Sequence, residues 1–153
     1  MSPCRVLFVC TGNICRSPAA EAVARGMAEQ HGLAGWSFDS AGTYSGHAGE
    51  PAHSFSRKVG AARGWSLTHR ARALRADEAD RFDLLVAMDR GHRAHLVKAF
   101  GRRDVAISLL RAWDPQGGPE AEVDDPYGEP EADYVAMYEV IERSVAALLG
   151  LPR

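Results

Sequence analysis

One stretch near the N-terminus limits the fold more than any other. Arg5-Val-Leu-Phe-Val9 leads into Cys10-Thr-Gly-Asn-Ile-Cys-Arg16, which leads into Ser17-Pro-Ala-Ala. The first part is β-branched or bulky and apolar, the pattern of a buried strand. Ser17 suits a helix N-cap and Pro18 the first helical position. Ala19, Ala22, Val23 and Met27 then recur at the spacing of a buried helix face. Cys10 to Arg16 is therefore a loop from the carboxyl end of a strand into the start of a helix. Backbone N–H groups converge in such loops, and the helix end adds partial positive charge. That geometry receives anions.

The loop residues suit the task. Gly12 and Asn13 are the types that most easily adopt left-handed backbone angles, so successive amides can curl into a nest. Arg16 can offer a forked, permanently charged donor pair to phosphate-type oxygens. Cys10, beneath the positive pole, is placed to act as a nucleophile.

The rest of the chain alternates strand and helix patterns. The first helix ends near His31-Gly32, with Gly32 past its end. Trp36 to Ser40 reads as a second strand, and Gly42 to Pro51 as a long loop. Phe55, Val59 and Ala62 mark a helix stopped by Gly64. Asp77 to Asp80 suggests a short helix, Phe82 to Met88 a third strand, and Leu96 to Phe100 part of the next helix. Val105 to Leu110 reads as a fourth strand. Tyr134, Met137, Tyr138, Ile141, Val145 and Leu148 share one side of a C-terminal helix closed by Gly150 and Pro152. Such alternation predicts an α/β fold with a parallel sheet covered on both faces. Ligands then bind beyond the carboxyl ends of the strands. Cys10, Ser40, Asp89 and the loop after Leu110 lie at that rim.

At 153 residues the chain is expected to form a single domain, 1–153, with a proper core. A net charge of -2 gives no basic surface for nucleic acid or for a membrane. No apolar run reaches spanning length, and no signal peptide is evident. Three cysteines without a disulfide framework suit a reducing, cytoplasmic setting. The histidines show no metal-ligand spacing, so neither metal nor cofactor is expected. Two adjacent carboxylic acids, Asp124 and Asp125, could each serve as a proton donor, although Asp125-Pro126 also reads as a turn start. Asp89 could pair with Arg16 or cap the helix after the third strand.

Cys10-Thr-Gly-Asn-Ile-Cys-Arg-Ser-Pro18 resembles the Cys-x5-Arg phosphate loop of the low-molecular-weight protein tyrosine phosphatases. The resemblance spans essentially the whole chain and includes Asp39-Ser-Ala41, His69-Arg-Ala-Arg72, Met88-Asp89 and Asp125-Pro-Tyr127. It implies a four-stranded parallel sheet in the order 2-1-3-4. It also implies a metal-independent enzyme that dephosphorylates phosphotyrosine on a protein substrate through a phosphocysteine and needs no cofactor. Cys10 would be the nucleophile and Arg16 the phosphate grip. Asp125 would be the acid and then the base. Thr11, Gly12, Asn13, Ile14, Cys15, Arg16 and Ser17 would form the phosphate loop. Ser17, Ser40, His69 and Asp89 would support it. Cys15 would pair reversibly with Cys10 as a redox guard. Tyr44, His47 and Tyr127 would wall the aromatic ring. The enzyme is expected to be a monomer.

The sequence departs from the family at the entrance. Gly46 stands where many bacterial members carry Trp, Gly128 where many carry a second aromatic, His53 where an acid is usual, and Phe55 where Arg is common. Other readings are a protein-arginine phosphatase, which tends to carry Thr where this chain has Ile14, and a non-catalytic phosphotyrosine-binding module. Thioredoxin-coupled arsenate reductases need relay cysteines after Cys15, and this chain has none.

Overall fold

The computed structural model describes residues 2–152. The run Arg5–Cys10 forms strand β1, with every residue after Arg5 buried. It is followed by α1 (Arg16–Gln30), β2 (Ser37–Gly42), α2 (Ser54–Ala62), α3 (Glu78–Arg81), β3 (Leu84–Ala87), α4 (Arg90–Phe100), β4 (Ala106–Leu109) and α5 (Glu131–Leu148). The strands make one parallel sheet in the order β2-β1-β3-β4, as the resemblance implied.

Side chains of a strand alternate between faces, and β1 uses both. Val6 and Phe8 join a core with Val23 of α1, Val59 of α2 and Tyr134, Tyr138 and Ile141 of α5. Leu7 and Val9 point the other way, onto Leu96 and Phe100 of α4. Helices therefore cover both faces. Each large side chain expected on the buried side of α5, from Tyr134 to Leu148, is at most 3% exposed. Among the described residues no helix is long and apolar enough to cross a membrane.

The chain leaves β1 toward β2 on one side and later enters β3 on the other. Cys10 thus ends the strand at which the sheet order switches, where α/β folds open a crevice.

Two local expectations change. Helix α1 begins at Arg16, with Cys15 as its N-cap and no side-chain cap bond, so Ser17 lies inside the first turn rather than capping it. The reason is tertiary: the Ser17 hydroxyl is engaged with Cys10 and Asn13. In α2 the packed residues are Ser56, Val59 and Gly60, while Ala62 is exposed. Gly60 is small because Tyr138 crosses there, and a Cβ on Gly60 would lie 2.5 Å from its hydroxyl.

Candidate active site

The loop after β1 is held from below by one side chain. Asn13 has φ 57° and is the described non-glycine residue with positive φ. Its amide nitrogen donates to Ser17 Oγ at 2.8 Å and to Ser40 Oγ at 3.0 Å. Its oxygen accepts from His69 Nε2 at 2.8 Å and from the Arg72 backbone N–H at 3.0 Å. Ser40 in turn donates to Glu21 Oε1 at 2.7 Å. Because the Ser17 oxygen accepts from Asn13, its own proton is free for Cys10 Sγ, 3.0 Å away. The Asn13 backbone N–H reaches the same sulfur at 3.3 Å. Two donors therefore converge on Cys10.

Sequence reasoning had no signal for Glu21 beneath the loop, and it had Arg72 only as the end of the His69-Arg-Ala-Arg72 segment, without a role. Glu21, Asp39 and His69 bring potential ligand atoms within 4.8 Å of one another. Each is already engaged, Glu21 with Arg25 and Ser40, Asp39 with Arg72, and His69 with Asn13.

Arg16 is 3% exposed. Its Nη1 donates to Asp89 Oδ2 at 3.1 Å and to the Val123 carbonyl at 2.9 Å, and its Nη2 lies 3.7 Å from Asp125 Oδ2. Asp89 fulfils both roles open to it. Besides pairing with Arg16, it caps α4 by accepting from the His92 N–H at 2.9 Å. Burial opposes charge on Asp89, but the His92 N–H, His92 itself and Arg16 outweigh it and hold the carboxyl below its usual range.

Asp125 also has two uses. Its Oδ1 accepts from the Tyr127 N–H at 3.1 Å, the turn foreseen for Asp-Pro, while Oδ2 faces Arg16. Asp124 is exposed and is not among the residues lining the cavity over Cys10.

That cavity measures about 220 Å³. Cys10, Thr11, Gly12, Ile14, Cys15 and Arg16 form its floor, and Asp125, Tyr44, His47 and Tyr127 its rim. Tyr44 and Tyr127 are 56% and 55% exposed. The His47 ring stands between them, with centroids 6.0 Å from Tyr44 and 6.3 Å from Tyr127, and its Nδ1 meets Glu50 at 2.9 Å.

The departures at the entrance have physical reasons. A Cβ on Gly46 would fall 2.1 Å from the ring end of Tyr44, which lies across it. Gly46 has no positive φ, so the ring and not the backbone calls for glycine. Gly128 has φ 82°, a conformation that disfavours a bulky residue. His53 caps α2 by accepting from the Phe55 N–H at 3.1 Å, stacks on Tyr134 at 5.2 Å and meets Tyr127 edge-on at 5.8 Å.

Cys15 is 4% exposed, with Sγ 3.5 Å from the Tyr134 hydroxyl. Burial pushes its thiol up to about 12, only partly offset by that hydroxyl. His92, which the sequence did not bring to notice, is 4% exposed and links Thr11 to Asp89. Burial, then Arg16, lowers it to about 4.

A parallel α/β sheet whose switch point carries an amide cradle over a cysteine, with an arginine and a carboxyl facing it, defines the class of cysteine-dependent phosphatases. The comparisons narrow the class. Residues 5–151 match the family model "Low molecular weight phosphotyrosine protein phosphatase". A low molecular weight protein-tyrosine-phosphatase of Streptomyces coelicolor is 43% identical, over 97% of this chain and 93% of that one. A low molecular weight protein-tyrosine phosphatase A of Mycobacterium tuberculosis is 38% identical, over 95% of this chain and 90% of its own. The crystal structure of a protein tyrosine phosphatase from Entamoeba histolytica with Hepes in the active site superposes with a TM-score of 0.89. It is 34% identical and covers 97% of this chain and 95% of its own. This chain belongs to the low-molecular-weight protein tyrosine phosphatase family.

Proposed function

We propose that this phosphatase hydrolyses phosphotyrosine on proteins through a covalent phosphocysteine at Cys10. The observation that carries the reading is the convergence of the Ser17 hydroxyl and the Asn13 N–H on Cys10 Sγ, below a cavity whose rim holds Asp125. Cys10 attacks phosphorus and the bond to the phenolic oxygen breaks. The amides of Thr11 to Ser17 and the Arg16 guanidinium hold the equatorial oxygens, the electrostatic contribution on which phosphoryl transfer mostly relies. Asp125 gives its proton to the departing phenolate. It then takes one from water as that water attacks phosphorus and releases the sulfur. Ser40, His69 and Asp89 keep the cradle in shape. Tyr44, His47 and Tyr127 enclose the ring, and apolar Ile14 suits an aromatic substrate.

Cys15 serves as the partner of Cys10 under oxidation, forming a disulfide that hydrogen peroxide drives and a thiol reverses. Because burial keeps Cys15 protonated, Cys10 is the thiol that first reacts with peroxide, giving a sulfenic acid and water; the Cys15 sulfur then loses its proton and attacks that sulfenic sulfur, releasing a second water. The chain works as a single domain, 1–153, as a monomer in the reducing cytoplasm.

The test is phosphate release from an aryl phosphate with chelator present, for wild type and Cys10→Ser. Release by wild type alone is expected. Release by Cys10→Ser would rule out the phosphocysteine. Turnover of a phosphotyrosine peptide should exceed that of phosphoarginine; the reverse order would move the substrate to phosphoarginine.

A further inference from the structure

His92 sits at the third position of α4, where its Nδ1 meets the Asp89 backbone N–H at 3.3 Å. A backbone N–H can only donate, so Nδ1 is the acceptor. Asp89 Oδ1 also lies 3.1 Å from Nδ1, but that contact lacks hydrogen-bond geometry, whereas the Asp89 N–H points at the Nδ1 lone pair as the second half of the capping box. A neutral imidazole with Nδ1 accepting carries its proton on Nε2. That Nε2 lies 2.7 Å from Thr11 Oγ1. Nε2–H therefore donates to the Thr11 oxygen.

The consequence falls on the Thr11 hydroxyl proton. With its oxygen receiving from His92, the proton points elsewhere, and no other group among the described residues accepts it. Thr11 lines the cavity directly after Cys10, and it is exposed while His92 is buried. The Thr11 carbonyl accepts from the Tyr44 N–H at 3.0 Å, which limits movement of the residue at its backbone. A buried ring thus fixes a hydroxyl donor on the floor of an anion site without adding charge.

We propose that Thr11 is a further substrate-binding residue, donating its hydroxyl to an oxygen of the phosphate ester, and that His92 is the positioning residue that turns it. This rests on the phosphate-monoester reading of the cavity. The imidazole stays neutral throughout the working range because burial and Arg16 oppose its protonation. A donor to a charged oxygen is stronger than one between neutral groups.

The experiment compares wild type, Thr11→Val, Thr11→Ser, His92→Asn and the Thr11→Val/His92→Asn double variant on one aryl phosphate. Asn keeps an acceptor for the Asp89 N–H but is too short to reach Thr11. Thr11→Val is expected to lower kcat/KM roughly tenfold, the value of one hydrogen bond to a charged group. Thr11→Ser should stay near wild type, and His92→Asn should fall by a factor similar to that of Thr11→Val. The double variant should be no worse than Thr11→Val, since both act through one bond. Thr11→Val within about twofold of wild type, or effects that multiply in the double variant, would overturn the proposal. NMR of the His92 ring adds a readout that folding alone does not move: a proton on Nε2 is expected, and one on Nδ1 instead would overturn the assignment. A wild type that releases no phosphate at all would fail the underlying reading, not this inference.

Discussion

Asn13 occupies left-handed backbone, which costs a side-chain-bearing residue about 1 kcal/mol, and its own amide offsets the cost with four hydrogen bonds. Asn13→Ala removes all four, leaving His69 Nε2 and the Arg72 backbone N–H without their acceptor and taking one donor each from Ser17 and Ser40. A loss of roughly 3 kcal/mol in unfolding free energy is expected from urea titration. Asn13→Gly relieves the backbone and should lose less. At Asp125 the prediction concerns rate. Asp125→Asn keeps an acceptor for the Tyr127 turn but cannot give a proton. A fall of ~10²–10⁴ in kcat on a phosphotyrosine peptide is expected. An unchanged rate would assign the acid elsewhere.

At the scale of elements, periodicity marked the helices and strands because tertiary packing agrees with it. The C-terminal helix is the clearest case: six large residues on one side, all buried. The start of α1 was misplaced because Ser17 has the chemistry of a cap but spends it on Cys10 and Asn13. His92 escaped notice for a related reason. The third position of a capping box is ordinarily Glu or Gln, so a histidine there carries no signal until Thr11 is seen beside it. Cys10, Arg16 and Asp125 were legible from the loop and its resemblance, whereas Glu21 and the Val123 carbonyl reach the site only through folding. The entrance loop yields its own prediction. Gly46→Ala should leave the fold intact, because the atoms nearest its Cβ are the ring end of the exposed Tyr44. Displacing that ring should raise KM for aryl phosphates several-fold, as expected when one aromatic contact is lost. Steady-state kinetics of Gly46→Ala, Tyr44→Ala and the pair should show no added loss in the pair. Additive losses would mean that Gly46 acts through something other than Tyr44.

The whole molecule responds to acid through His92. Its value in the fold, about 4, lies below the ordinary 6.5, so the folded state favours the neutral ring. The corresponding stability is complete above 6.5 and is lost as pH falls from 6.5 toward 4, by about 1.4 kcal/mol per pH unit while the group titrates. Arg16 adds to this, while Asp89, Asp125 and Glu122 around the ring oppose it. Urea midpoints measured between those limits should fall for wild type and flatten for His92→Asn; parallel curves would place the titration elsewhere. The depressed carboxyls of Asp89, Asp114 and Glu142 contribute further loss only at lower pH, as each falls through its own folded value.

Gly46 has a consequence for how such an enzyme can diverge. Its backbone has no positive φ, and the atoms nearest a Cβ there belong to Tyr44 rather than to the cradle beneath. The doorway can therefore drift while the engine is conserved. Changes at Gly46 would act on the entrance through Tyr44, apart from the cradle that holds Cys10.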